Sequence, residues 1–284
     1  MGMRRPRRAD DERALARRQL LTWAATGAAL LGAGGALAGC GSSGSASGDS
    51  ATGDSPNDSF SPAAPTDPPA VPGLPVPSAT PVGVRSKPVF KVHDLLPTAP
   101  SNAVALTIDD GPSRLYTPQV LQLLRKYDIR ATFSVVGSEA HANKDVIRQI
   151  AADGHVLANH TMTHPQPFSH RSADRIRQEL TDTQSVVVDA GGPVPTLFRS
   201  PGGDWSPTVF QEAARLGLTP IDWDVDPRDW ARPGVNKITE KLLAARPGDI
   251  LLCHDGGGDR SQTLEALRSV LPALKAKGYA FVAL

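Results

Sequence analysis

Beyond about residue 100 the apolar positions fall into two alternating rhythms. Short continuous runs have the length and the β-branched and aromatic content of buried strands: "AVALTI" (103–108), "ATFSVV" (131–136), "HVLAN" (155–159), "TLFRS" (196–200), "LTPIDW" (218–223), "DILLCH" (249–254) and "YAFVAL" (279–284). Between them apolar residues recur at helical spacing, as Val120, Leu121 and Leu124, then Ile176, Leu180 and Val187, then Leu264, Leu267, Val270, Leu271 and Leu274. Continuous strands alternating with amphipathic helices predict a parallel sheet covered by helices. Seven strands in about 185 residues make one α/β domain, as a closed barrel or an open doubly wound sheet; periodicity does not choose between them. In both, polar residues at strand C-termini gather at one mouth.

The first 88 residues follow neither rhythm. Residues 1–39 begin with arginines, continue in a weakly apolar run from Leu20 to Ala38 and end in "LAGC", the layout of an export signal. Leu37-Ala38-Gly39-Cys40 resembles a bacterial lipobox, which makes Cys40 the expected site of lipidation and of a membrane anchor. Arg17-Arg18-Gln19-Leu20-Leu21 resembles a twin-arginine signal, although Ala16 departs from it, so the general secretory and twin-arginine routes both stay open. Residues 40–88 are rich in Ser, Gly, Asp and Pro and carry too little apolar surface to fold, so they are expected to form a disordered tether. A coil of that length averages about 40 Å end to end. The catalytic domain is expected at 89–284, extracytoplasmic and held at the membrane by lipid.

Charge changes the picture by exclusion. The seven arginines and three acids of residues 1–39 carry +4, so a chain of net charge +1 leaves about −3 once they are removed. No basic patch stands out to neutralise phosphates, which argues against nucleic acid as a partner. Cys253 would be the one cysteine left beside a lipidated Cys40, so no disulfide is expected in the domain, and its apolar neighbours make it a buried small hydrophobe.

Reactive side chains recur at the strand ends. "LTIDDGP" ends the first with Asp109 and Asp110. "LANHTMTH" follows the third with His160 and His164, and "LFRSPGGDW" the fourth with Arg199. "DWDVDPRDW" follows the fifth with Asp226, Asp229 and Trp230, and "LLCHDGGG" ends the sixth with His254. Singly these read as turn caps or satisfied histidines. Together they are the parts of a metal-assisted hydrolase: imidazoles and a carboxylate for a zinc-like ion with an open position, a second carboxylate to take a proton, a distant histidine to give one.

Residues 100–284 resemble the NodB-homology polysaccharide deacetylases, carbohydrate esterase family 4. "TIDDGPS", "HTMTH", "RSPGG", "DPRDW" and "LLCH" match that family's five motifs in order, with Ile108 where Phe is common. The resemblance implies a distorted (β/α) barrel of about seven parallel strands and a divalent metal, zinc above all, held by Asp110, His160 and His164. It implies Asp109 as general base, oriented by Arg199, and His254 as general acid. Asp229 is the expected partner of His254, with Asp226 as its competitor. The oxyanion would meet the metal and the N–H of Gly202, where many family members carry tyrosine. Pro201, Gly202, Trp205 and Trp230 are expected against the sugar, and Trp223 in the core. His93, His141, His155 and His170 match no ligand position and are expected to be structural or on the surface.

The expected function is therefore removal of acetyl groups from a cell-envelope polysaccharide by a monomeric enzyme, foremost N-deacetylation of peptidoglycan amino sugars. O-deacetylation of a polymer such as acetylxylan is the alternative within the enzyme class. A non-catalytic sugar-binding lipoprotein is the alternative outside it, although such a protein has no need of the full Asp, His and Arg set. Cys40→Ala is expected to move the protein from the membrane pellet to the soluble fraction; retention in the pellet would remove the lipid anchor from this reading.

Overall fold

The computed structural model describes residues 83–284, so the export signal, Cys40 and nearly all of the tether lie outside the described residues. Residues 83–87 are exposed, and burial begins at Pro88 and Val89. Seven strands form at the seven apolar runs: β1 Ala103–Asp109, β2 Thr132–Val135, β3 Val156–Asn159, β4 Leu197–Phe198, β5 Thr219–Pro220, β6 Ile250–His254 and β7 Ala280–Phe281. Every pairing between them is parallel, in the order β5-β4-β3-β2-β1-β6. The last strand takes a share of β1: β7 pairs Ala103 and Val104, whereas β2 begins only at Thr107. Beyond β5, Ile221 bridges Val89 and Val225 bridges Leu251 of β6, which closes the ring without a regular β5–β6 ladder. This is the distorted barrel that the motifs implied.

Strands β4 and β5 reach only two residues although the apolar runs there are longer. Pro195, Pro201 and Pro220 flank or enter them, and proline has no N–H to give a ladder.

The period of two along β1 divides the interior. Val104, Leu106 and Ile108 join the larger cluster under the covering helices, while Ala103 and Ala105 join a smaller cluster with Val89, Ala158, Leu197, Ile221 and Ile250. Thr107 and Asp109 continue the second face, so the barrel interior turns from small and apolar to polar toward the C-terminal ends. The helices follow the spacing read above. Val120, Leu121 and Leu124 are buried on α2 (Thr117–Lys126), Ile176, Leu180 and Val187 on α5 (Ala173–Asp189), and Leu264, Leu267, Val270, Leu271 and Leu274 on α8 (Ser261–Ala276). Shorter helices complete the cover: α1 Val92–Leu95, α3 Gly137–Ala142, α4 Lys144–Ala152, α6 Pro207–Arg215 and α7 Val235–Leu243. Cys253 is free and buried in β6, as expected. Among the described residues no helix is long and apolar enough to cross a membrane.

Candidate active site

Strand register builds the site. Asp109 stands opposite His254 across β1 and β6, so one carboxylate and one imidazole are set side by side by backbone pairing alone. Asp109 is 2% exposed, and its Oδ1 accepts a 2.7 Å bond from Nη1 of Arg199. Arg199 has no exposed surface. It also donates to Oγ1 of Thr107 at 2.9 Å and to the carbonyl of Asp222 at 2.9 Å, and its guanidinium lies 5.6 Å from the Trp223 ring centroid. The other oxygen of Asp109, Oδ2, is 3.9 Å from Nε2 of His160.

Asp110 turns away from β1 with φ 70, a conformation that non-glycine residues hold only under constraint. Its Oδ1 lies 3.4 Å from Nε2 of His160 and 3.3 Å from Nε2 of His164, yet this buried oxygen accepts no hydrogen bond. Nδ1 of His160 is 2.8 Å from the Arg199 carbonyl, which fixes the N–H there and leaves Nε2 as a lone pair toward Asp110. The three ligand atoms lie within 4.8 Å of one another. An orphaned carboxylate oxygen facing two imidazole nitrogens fits a divalent ion with a position left open.

The histidine loop is held from both sides. The N–H and Oγ1 of Thr163 both donate to the buried Glu179 of α5, at 2.8 and 2.7 Å. Thr161 and Met162 give their carbonyls to the first N–H groups of α3, and Oγ1 of Thr161 accepts from the His164 N–H at 3.0 Å. Thr161 (φ 68) and His164 (φ 51) are left-handed like Asp110, so three such residues surround one site.

On the opposite flank, Nδ1 of His254 is 2.8 Å from Oδ1 of Asp229, and its N–H donates to Oδ2 at 2.8 Å. Thr263 donates to the same Oδ2 at 2.8 Å. Burial alone would lower the His254 pKa; the Asp229 carboxylate, helped by Asp110 and Asp109, reverses this and raises it to about 9. Asp226 instead accepts the Arg228 N–H at 2.7 Å. Geometry thus gives His254 to Asp229.

Other predicted residues divide. Pro201 is buried and Gly202 is exposed with φ 64 in the turn after β4. Trp230 is 42% exposed beside the Asp229 turn. Trp205, expected against sugar, is largely spent on packing: it stacks on Phe210 at 5.1 Å, meets the Phe198 edge at 5.4 Å and donates its N–H to Asp222. Trp223 packs against the smaller barrel cluster. His155 is buried and its Nδ1 accepts the Ala131 N–H; burial lowers its pKa to about 4, which suits a neutral structural histidine.

Two residues of the site carried no expectation from sequence. Asp255 is 1% exposed; its N–H donates to the Asp109 carbonyl at 3.1 Å and its Oδ2 accepts from Thr117 at 2.6 Å. Burial pushes its carboxyl up to about 7. Arg260, also buried, sits 3.9 Å from Oδ2 of Asp110 and donates to the carbonyls of Gly256 and Trp230. The signal was the "DGGG" after His254. A Cβ on Gly256 would stand 1.9 Å from the Asp110 carbonyl oxygen, and one on Gly111 would stand 2.2 Å from Oδ1 of Asp255.

Gly256→Ala is therefore expected to displace Asp110 and weaken metal binding by at least about tenfold, the scale of a disturbed ligand environment. Calorimetric titration of the metal-stripped domain with zinc would measure it, and unchanged affinity would mean that the Gly256 contact does not position Asp110.

Comparison with known proteins gives the family. The family model described as polysaccharide deacetylase matches residues 97–221, ending before Asp229 and His254. A peptidoglycan-N-acetylglucosamine deacetylase of Bacillus cereus is 43% identical over 182 residues, 63% of this chain and 84% of the relative. A chitooligosaccharide deacetylase of Rhizobium leguminosarum bv. trifolii is 39% identical over 188 residues, 62% of this chain and 87% of the relative. Among solved structures, a family 4 carbohydrate esterase from Streptomyces lividans in complex with acetate superposes with a TM-score of 0.60 at 34% identity, over 63% of this chain and 91% of that one. With the barrel, the possible Asp/His/His metal site and these relatives together, the chain belongs to the polysaccharide deacetylase family of hydrolases, carbohydrate esterase family 4.

Proposed function

We propose that this domain is a metal-dependent N-deacetylase of a cell-envelope polysaccharide, peptidoglycan foremost, working outside the membrane on a lipid-anchored tether. One observation carries the reading: Asp109 and His254 stand side by side in register on β1 and β6, next to the Asp110, His160 and His164 cluster, each with a buried partner of its own. The names of the Bacillus cereus and Rhizobium relatives support N-acetylated amino sugars as the substrate class.

Asp110, His160 and His164 would hold the cation, zinc by its donor set, which when bound would polarise the acetyl carbonyl and acidify a water. Asp109 takes the proton of the attacking water at Oδ2, because Arg199 occupies Oδ1. The water oxygen bonds to the carbonyl carbon, and the N–H of Gly202 donates to the oxygen that gains charge. The C–N bond then breaks. His254, its Nδ1–H held by Asp229, gives its Nε2 proton to the departing nitrogen, so the products are acetate and a free amine. A protonated acid matters more for an amine leaving group than for an alcohol, and a His254 pKa raised to about 9 supplies one at neutral pH.

Asp109→Asn is expected to lower acetate release from peptidoglycan or chitooligosaccharides by at least about a hundredfold while metal content stays stoichiometric. Metal lost along with activity would exchange the base and ligand roles of Asp109 and Asp110. The acid leads to a pH effect: His254 is active below its pKa and is lost as pH rises through about 9. Asp229→Asn removes its carboxylate, so the alkaline limb of kcat/KM should move down by about one unit or more. An alkaline limb that stays in place would take His254 out of the proton transfer.

A further inference from the structure

The turn that delivers Asp229 has a second, outward side. Arg228 (φ 54, ψ 39) and Arg232 (φ 54, ψ 54) are both left-handed and flank Asp229-Trp230-Ala231. Left-handed arginine is sterically costly and persists only where the surroundings demand it, most often at functional sites. Core packing does not demand it here, because both arginine side chains are exposed. The strained turn sends Asp229 inward to His254 and leaves Arg228, Trp230 and Arg232 together on the surface.

Their chemistry is unequal. Arg232 is paired with Asp259 at 2.8 Å, and Asp259 also accepts the Tyr116 hydroxyl at 2.9 Å. Arg228 forms no ion pair among the described residues; its guanidinium lies 5.2 Å from the centroid of Trp230, a large ring left 42% exposed. The platform is also fixed relative to the metal cluster. The Trp230 carbonyl accepts Arg260 at 3.4 Å, and Arg260 reaches within 3.9 Å of Asp110. An exposed indole suits the apolar face of a pyranose ring. A guanidinium lying on it, with its charge uncommitted, suits a carboxylate that it can meet with two parallel hydrogen bonds.

We propose that Arg228, stacked on Trp230, is a specificity-determining residue that pairs with a carboxylate of the glycan, the lactyl group of a muramic acid that carries no stem peptide, so that this domain selects such acidic N-acetylated glycans over neutral chitooligosaccharides. The proposal rests on the deacetylase reading and narrows its substrate class. Arg228 touches the sugar chain beside the reacting group and takes no part in the proton transfers.

The test compares peptide-free, muramic-acid-containing glycan fragments with chitooligosaccharides of matched length, using the parent, Arg228→Gln and Arg228→Lys. Arg228→Gln is expected to cut kcat/KM on the acidic fragments relative to the neutral ones by about tenfold, through KM, which is the scale of one charged hydrogen-bonded pair. Added salt should weaken the parent's preference and leave Arg228→Gln unmoved. Arg228→Lys should recover part of it, keeping the charge but losing the planar fork. Equal loss on both glycans, or none on either, overturns the proposal. A parent that releases acetate from neither would sink the deacetylase reading separately. Cosedimentation with insoluble peptidoglycan stripped of its stem peptides would then read Arg228 directly, with equal retention of parent and Arg228→Gln overturning it.

Discussion

Everything at the mouth of this barrel hangs on a guanidinium that water never reaches. Arg199 carries its charge to a fully buried position, which is costly unless every neighbour answers it. Three do: the Asp109 carboxylate, the Thr107 hydroxyl and the Asp222 carbonyl. Its own carbonyl meanwhile takes the His160 ring N–H. One residue just after β4 thereby orients a carboxylate on β1, an imidazole after β3 and the backbone after β5. Removing one partner of such a buried pair typically costs about 3–5 kcal/mol, because the other charge is left uncompensated. The geometry of the carboxylate and the imidazole is thus tied to the stability of the barrel.

The same logic gives two aspartates different environments. Asp109 faces a permanent cation, while Asp229 faces a histidine whose proton it retains to about pH 9. Pairs of titratable groups set apart by their surroundings are how one site supplies both an acceptor and a donor of protons. Here the difference arises from which strand end each aspartate follows and which partner waits opposite.

Much of this was legible before any coordinates. All seven strands lie at the apolar runs, because parallel strands covered on both faces must be continuously apolar. Asp109, His254 and Arg199 announced themselves by standing at strand ends. Barrel closure was legible only through the motifs and not through periodicity, since single bridges at Val89 and Val225 leave no periodic trace. The choice of Asp229 over Asp226 was not either: two aspartates three residues apart differ only in which way the left-handed Arg228 turns the chain between them. Trp205 misled because an indole near a site looks the same in sequence whether its face is free or stacked on Phe210. Asp255 was passed over since a carboxylate after a histidine reads as a turn, and only the contact with Gly111 reveals how tightly it is wedged.

The shared edge of β1 has a consequence for how the molecule comes into being. Its partners lie far apart in the chain: β2 follows within about thirty residues, whereas β6 and β7 arrive near residues 250 and 280. Leu284 itself donates its N–H to Thr132. During synthesis the central strand must therefore wait, partly unpaired, until residues near 280 have emerged. Such long-range pairings make for slow folding, because loop closure comes before its reward. The domain is one that cannot settle piecemeal from its N-terminus, and until then its first half presents an unfinished sheet edge.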